Sequence, residues 1–324
     1  MTSYGDAGVD LGGAERHVAR IARAVTATWT ANVVGGFGGF AAGVEIPPGY
    51  DRPVLMMSTD GVGTKLDLAR RAKRWDGVGY DLVAMCVDDL AAVGARPLAF
   101  VDYLAVGTLD LDRDQMIVAS IAAACAEADC PLLGGETAVH PGVMPLDGVD
   151  LAGAVVGLVE KGEELDPHRV REGDLIIALH SPNLRSNGFS LVRSVFADEV
   201  DSYIDQLLEP AVIYAPSVLA AIETGGVHSA AHITGGGLAG NLTRALREGL
   251  AAQIDSASWS PPAIFDLVAS RGVDRAEMFS TFNMGVGFCL IVDPRHGADV
   301  MDATARHSPW QVGKVTVGSG VVIR

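Results

Sequence analysis

Lysine is scarce in this chain: it stands only at positions 65, 73, 161 and 314, so most of the 24 basic residues are arginine, set against 40 acidic ones. The resulting formal charge of -16 offers no basic field for free nucleic acid, whose binding depends on neutralising phosphates. A phosphorylated substrate would need local positive charge or Mg²⁺. Cysteine is as sparse. Cys86, Cys125, Cys130 and Cys289 form no Cys-x-x-Cys pair. That pattern argues against a disulfide framework and fits a reducing cytoplasm. Long apolar runs are missing too: none approaches the roughly 20 residues needed to cross a bilayer. The polar, acidic stretch 1–13 does not read as a signal peptide.

What is present is globular. The 324 residues are 49% hydrophobic and 20% charged, enough for two domains, because one core rarely grows past roughly 250–300 residues. The charged tract 160–172 is the expected junction, giving domains 1–163 and 164–324. Apolar periodicity predicts helices over 15–27, 66–74, 81–93, 114–129, 212–223 and 238–248. It predicts strands over 54–57, 98–105, 131–133, 149–159, 175–179, 284–292 and 310–317. Strands alternating with helices point to an α/β fold. The stretch 4–10 is too rich in glycine for a helix interior.

One stretch organises the rest. Residues 58–65 read Ser-Thr-Asp-Gly-Val-Gly-Thr-Lys directly after the apolar run 54–57. Gly61 and Gly63 allow a ligand close to the backbone, Asp60 suits a hard cation, and Lys65 suits a phosphate oxygen. The order is not that of a P-loop. The stretch is either a nucleotide-phosphate loop or a tight turn with a surface lysine. Asp88 and Asp89 interrupt an apolar helix. Buried carboxylates need partners, either N–H and arginine donors or Mg²⁺. Gly35, Gly36, Gly38 and Gly39 surround Phe37 in a loop that is a plain hairpin turn or a ligand cover. Gly134 and Gly135 precede Glu136, and Asp102 sits in mid-strand as a ligand or a structural acceptor. Gly235, Gly236 and Gly237 open a helix, a plausible anion site.

These blocks together resemble a known family. Asp89-x4-Gly94-Ala95-x-Pro97 looks like the signature of the aminoimidazole ribonucleotide synthetase superfamily. The blocks at 59–66, 81–87, 133–138, 186–193, 232–238 and 281–287, in this order, resemble phosphoribosylformylglycinamidine cyclo-ligases from Tyr4 to about Val317. The Cys or selenocysteine typical of selenophosphate synthetases is missing from 33–40, and the C-terminal Cys of hydrogenase maturation carbamoyl-dehydratases is missing at Arg324.

The resemblance implies an α/β (α+β) protein of two domains. The N-terminal domains would pair into a β-barrel across a homodimer, and a C-terminal α/β domain would carry a mixed sheet. It implies ATP-dependent ring closure of phosphoribosylformylglycinamidine to 5-aminoimidazole ribonucleotide, with ADP and phosphate released, in the cytoplasm and without nucleic-acid or membrane partners. Asp60, Asp89 and Glu136 would hold Mg²⁺ and ATP together with Gly61, Gly63 and Thr64, under a cover of Gly35, Gly36, Gly38 and Gly39. Lys65 would neutralise a phosphate. His232 would carry a proton or serve as a structural histidine. Ser186, Asn187, Thr234, Gly235 and Gly236 would hold the ribose phosphate. The chain departs from the family pattern at Arg185 (usually His), at Val139-His140 (usually Glu-Met), at Ala211 (usually Thr) and at Ser280 (often Arg). A paralogue acting on another amide, or a non-catalytic nucleotide-binding subunit, are the alternatives.

Overall fold

Two large sheets carry most of the chain, beside a two-stranded hairpin, and one helix lies between them. The computed structural model describes residues 11–324; the glycine-rich stretch 4–10 falls outside them. The first half contains α1 (Leu11–Thr26), β1 (Val33–Val34), β2 (Gly43–Val44), β3 (Pro53–Gly61), α2 (Lys65–Ala72), α3 (Val78–Ala92), β4 (Arg96–Val106), α4 (Leu111–Glu127), β5 (Leu132–Val139) and β6 (Val149–Glu160). The second contains β7 (Leu175–His180), α5 (Phe189–Phe196), α6 (Ile204–Leu207), α7 (Ala215–Glu223), β8 (Val227–His232), α8 (Gly237–Arg244) and β9 (Leu250–Ile254). It continues through α9 (Ala263–Ala269), α10 (Arg275–Thr281), β10 (Val286–Val292), α11 (Gly297–Ala303), β11 (Trp310–Val317) and β12 (Gly320–Ile323).

The first sheet has four strands in the order β3-β6-β4-β5, antiparallel except for the β4/β5 pair. The second is a mixed sheet of six strands, ordered β12-β9-β11-β7-β10-β8. Strand β10 is buried along its whole length, as its unbroken apolar run Val286–Val292 requires. The first sheet's last strand ends at Glu160 and the second's first begins at Leu175. The charged tract 160–172 lies between them.

Helix α3 is apolar nearly all round because it is covered on all sides. It packs on β3, β4, β6 and α4 of its own half and on α7 and β8 of the other. Any polar residue on it must find a partner inside the protein, which gives Asp81, Asp88 and Asp89 their weight.

Two strands run further than their patterns predict. Asp60 and Gly61 lie inside β3 rather than beyond its end, and Gly134, Gly135 and Glu136 lie inside β5. Both segments have a neighbouring strand to pair with, so the ladder overrides the turn preference of glycine. The register then fixes a row across the sheet: Asp60 on β3, Gly153 on β6, Asp102 on β4 and Gly135 on β5. Paired residues share a face, so Asp60 and Asp102 point to the side covered by α3. Glu136 pairs with Tyr103, one residue on, and faces the other way.

Candidate active site at the seam of the two halves

The three acidic residues of α3 have separate tasks. Asp81 and Asp88 stand seven residues apart, two helical turns, on the face turned to the second half. Both side chains are fully enclosed. Asp81 takes a 2.8 Å ion pair from Lys65 Nζ and a 2.9 Å hydrogen bond from the Ala211 N–H. Asp88 Oδ2 accepts from Arg185 Nη2 at 2.7 Å, while its Oδ1 accepts the N–H groups of Tyr214 and Ala215, each at 2.8 Å, at the start of α7. Asp88 thus bolts α3 to the second half through Arg185 and backbone donors, the bland alternative that the sequence left open for it, and Asp81 does so through the Ala211 N–H while pairing with Lys65 of its own half.

This overturns one reading. Lys65 does not face a phosphate: its Nζ donates to Asp81, to the Arg185 carbonyl at 3.1 Å and to the Glu209 carbonyl at 2.8 Å, so all three of its N–H bonds are occupied in the interior. Burial lowers the Lys65 pKa and raises that of Asp81, and each charge offsets the other's shift. Arg185, the departure from the family pattern before Ser-Asn-Gly, faces the interior. It is fully buried, paired to Asp88, and stacked over the Tyr214 ring at 4.9 Å.

Asp89, next on the helix, turns to the cleft. Its side chain is 48% exposed; its Oδ1 takes His232 Nδ1 at 2.8 Å and its Oδ2 takes the Ser58 hydroxyl at 3.4 Å. Burial works against the charged form, but His232, Arg244 and Ser58 outweigh it and hold the Asp89 pKa below the usual carboxylate value. An ionised Asp89 has no proton to give, so His232 Nδ1 carries the hydrogen of that bond. The other ring nitrogen, Nε2, is buried, has no hydrogen-bond partner and lies 3.8 Å from Asp88 Oδ2. The His232 ring stacks on Phe288. Among the described residues, His232 therefore steadies Asp89 and is neither a histidine on a backbone carbonyl nor one whose free nitrogen faces the cleft.

Asp60 joins Asp89 in the fold. It lies two residues beyond Ser58 on the same face of β3, with its Oδ1 on its own Gly61 N–H at 2.7 Å. Glu136 does not join them. It stands three strands from Asp60, roughly 14 Å at the usual interstrand spacing, and on the opposite face. Among the described residues no three His, Cys, Asp or Glu side chains converge on one point as a ready metal cage. Of the three expected carboxylates, Asp60 and Asp89 thus lie on one side of the first sheet, and Glu136 lies on the other.

The substrate candidates meet on the other wall. Ser186 Oγ donates to the Asp81 carbonyl at 3.3 Å, and Thr64 Oγ1 lies 3.2 Å from Ser190 Oγ. The Asn187 carboxamide lies beside Gly235. In the 234–237 turn, Asn241 Nδ2 donates to the carbonyls of Thr234, Gly235 and Gly237. Those carbonyls are held back, and the N–H groups of Gly235 and Gly236 have no partner among the described residues. Helix α8 starts there without a side-chain cap, so its positive end is open to an anion. Ser280, at the position where Arg is common in the family, is exposed, and its hydroxyl donates to the Glu277 carbonyl.

A separate cavity of about 470 Å³ opens beside β4 and β5. Loop 36–42 roofs it, α1 walls it, and Asp102, Gly135, Glu136 and Thr137 floor it. Strands β1 and β2 pair as a hairpin with the glycine loop at its tip, so the loop is a hairpin turn that also lines the cavity. Gly35 and Gly38 hold positive φ, +102° and +86°, which the tip requires. Gly135 is needed for another reason: a Cβ there would come within 2.3 Å of Asp102 Oδ1. His17 Nε2 lies 3.1 Å from Thr137 Oγ1 in this cavity, and burial lowers the His17 pKa despite the nearby Asp114. His17 was not among the sequence candidates. The signal was there: it stands four residues before Ile21, a polar residue on an apolar helix stripe.

Burial pushes the Asp102 pKa up to about 7. Folding therefore favours its neutral form. The stability this confers is present below the unfolded value of about 3.8 and is lost as pH rises through 7. Asp102→Asn keeps the shape without the charge. It should stabilise the protein by an amount that grows from pH 4 to 7 and levels off at up to about 4 kcal/mol. Urea midpoints of the two proteins at pH 5 and pH 8 check this; equal gains at both pH values would contradict the buried-carboxyl reading.

Against known proteins, two models match: AIR synthase related protein, N-terminal domain, over residues 38–159, and AIR synthase related protein, C-terminal domain, over 171–324. A curated phosphoribosylformylglycinamidine cyclo-ligase from Xanthomonas oryzae pv. oryzae is 42% identical over 98% of this chain and 98% of its own. The chain belongs to the phosphoribosylformylglycinamidine cyclo-ligase family. Solved structures with the same fold include a thiamine-monophosphate kinase from Stenotrophomonas maltophilia, at 21% identity, TM-score 0.66, covering 95% of this chain and 94% of that one. The hydrogenase maturation protein HypE in complex with ATP gives 19% identity, TM-score 0.68, covering 96% and 90%. At these identities the likeness is one of fold, and the family assignment rests on the cyclo-ligase relative.

Proposed function

We propose that the protein closes the imidazole ring of aminoimidazole ribonucleotide, consuming ATP in the cyclo-ligase step of purine biosynthesis. The observation that carries this is the joint made by Asp89: an ionised carboxylate on the central helix, steadied by His232 and Ser58, at the mouth of a cleft whose far wall is an uncapped helix start. ATP phosphorylates the formyl-derived amide oxygen, breaking its bond between the γ-phosphorus and ADP. The amidine nitrogen then attacks the activated carbon, and phosphate leaves with the former amide oxygen. An amide oxygen leaves poorly and phosphate leaves well. The residues therefore have to position the two substrates and neutralise phosphate charge, and need supply no covalent chemistry of their own.

Asp60 and Asp89 fit Mg²⁺, which takes one or two carboxylates and completes its shell with water and substrate phosphates. Bound there, it would neutralise charge on the transferring phosphate. Thr64, Gly61 and Gly63 line the same turn. Ser186, Asn187 and the 234–236 backbone would take the ribose phosphate. The cavity under the glycine loop would take the adenosine end of ATP, with Asp102 and Thr137 at its polar floor. The boundary between the two functional halves falls at 163/164.

The homodimer has its own support. Leu55, Met57, Val101 and Tyr103 form an exposed apolar face on the first sheet, with Met57 77% exposed. Monomers rarely leave such a face bare. A dimer that buries it carries Glu136 into the contact, since Glu136 lies on that face. Met57→Asp should turn the dimer into a monomer in light scattering at micromolar protein; an unchanged mass would rule this face out as the contact. No helix among the described residues is long and apolar enough to span a membrane, and a cytoplasmic enzyme is the matching proposal.

Rescue of a bacterium that requires purine because it lacks this step tests the function. Growth without added purine is expected. Soluble, dimeric protein without rescue would favour a paralogue acting on another amide.

A further inference from the structure

The cavity under the glycine loop holds one polar side chain whose bonding is incomplete. Asp102 is 8% exposed and lines the cavity from the middle of β4. Among the described residues no side chain, and no backbone group but its own N–H, bonds its carboxyl. Nδ1 of His17, in the wall of the same cavity, is unpaired but sealed off; neither oxygen of Asp102 is. The oxygen that its own N–H leaves free keeps accessible surface, and that surface opens into the cavity. Buried polar groups are nearly always paired, so an open, unpaired one in a cavity of about 470 Å³ points to a ligand atom.

Charge decides what that atom is. No lysine or arginine among the described residues lines the cavity. The titratable groups around Asp102 are His17 on α1, Cys86 on α3, Cys125 on α4 and Asp60 on β3, with Glu136 on β5 turned to the other face. None supplies a cation, since burial lowers the His17 pKa. A carboxylate enclosed there has nothing to balance it, and its pKa is pushed up to about 7. The oxygen on the Asp102 N–H is an acceptor, so the proton sits on the other one, which faces the cavity as an O–H donor. The walls beyond it, Ile21, Val25, Phe37, Val118 and Leu133, are apolar. This suits a flat, uncharged ring that carries an acceptor atom. Asp60, at the phosphate end, lies two strands along the same row, roughly 10 Å at the usual spacing. Ribose and phosphates bridge such a gap.

We propose that Asp102 reads the base of ATP, its carboxyl O–H donating to N1 of adenine. N1 is the ring nitrogen farthest from the ribose, and Asp102 stands at the cavity floor. Guanine and hypoxanthine carry a hydrogen on N1 and would set it against the donor. The inference rests on the cavity taking the adenosine end of ATP and names the group that selects the base.

Equilibrium dialysis of the full-length protein with Mg²⁺ at pH 6 compares ATP with 1-deaza-ATP, in which C–H replaces N1. The analogue should bind about tenfold more weakly, the scale of a hydrogen bond lost with its donor left unpaired. Asp102→Ala should bind the two equally. Asp102→Asn keeps an N–H donor and should keep the preference. Between pH 6 and pH 8 the wild type should lose about tenfold in ATP affinity as the O–H is lost through a pKa of about 7. The asparagine does not titrate, so its variant reports only the change in the nucleotide's own phosphate. Equal wild-type affinity for ATP and 1-deaza-ATP, or the same preference in Asp102→Ala, would overturn the proposal. The wild-type comparison needs no variant to fold. ATP that binds without the preference overturns this inference alone; ATP that fails to bind overturns the ring-closing function with it.

Discussion

Lys65→Met is expected to destabilise the protein by about 3–5 kcal/mol, the usual cost of stripping one partner from a buried ion pair. The Asp81 side chain would be left fully enclosed with one N–H donor, from Ala211, in place of its cation. The Arg185 and Glu209 carbonyls would lose a donor as well. The loss should appear as a lower urea midpoint. Lys65→Met combined with Asp81→Asn should recover much of it, because the double change removes both charges and keeps an acceptor for Ala211. A Lys65 that served ATP would behave otherwise: its loss would weaken nucleotide binding and leave the midpoint alone.

Asp89→Asn should do the reverse. Asp89 faces the cleft, half exposed, and asparagine retains an acceptor for His232 Nδ1, so stability should change by less than about 1 kcal/mol. Ring closure should fall about 10²–10³-fold, the scale on which single electrostatic contacts to a transition state act. Mg²⁺–ATP affinity should fall with it. Steady-state rates, nucleotide titration and a urea curve on the same preparation separate the two effects. Unchanged ATP affinity would remove Asp89 from the metal site. The pair of experiments sets two acidic interests on one helix against each other: Asp81 as structure, Asp89 as function.

That division was only partly legible in the residues. The glycine blocks, the carboxylates and their order were enough to point to the family, and apolar periodicity placed α1, α3, α4, β6 and β10 to within a few residues. Strands β8, β9 and β12 were missed because Val227–His232 and Leu250–Ile254 are short and Gly320–Ile323 is an edge. Nothing in a local window shows that they have partners. Lys65 was misread for a related reason. Its neighbours in sequence are those of a phosphate loop, but its partners, Asp81, Arg185 and Glu209, come from far along the chain. Arg185, which the family pattern marks only as a departure, likewise has its partner far along the chain, as the counter-charge of Asp88. Glu136 was grouped with Asp60 and Asp89 by motif alone. Strand register, which no motif encodes, turns it to the opposite face.

The central claim is that the Asp89 joint and the open start of α8 serve ATP-driven closure of an imidazole ring. Its most direct test is to mix purified protein with phosphoribosylformylglycinamidine, ATP and Mg²⁺, and to follow ADP and the new ring together. One ADP is expected for each aminoimidazole ribonucleotide formed, with no ADP release in the absence of the phosphoribosyl substrate. ATP binding without substrate-dependent ADP release would contradict it.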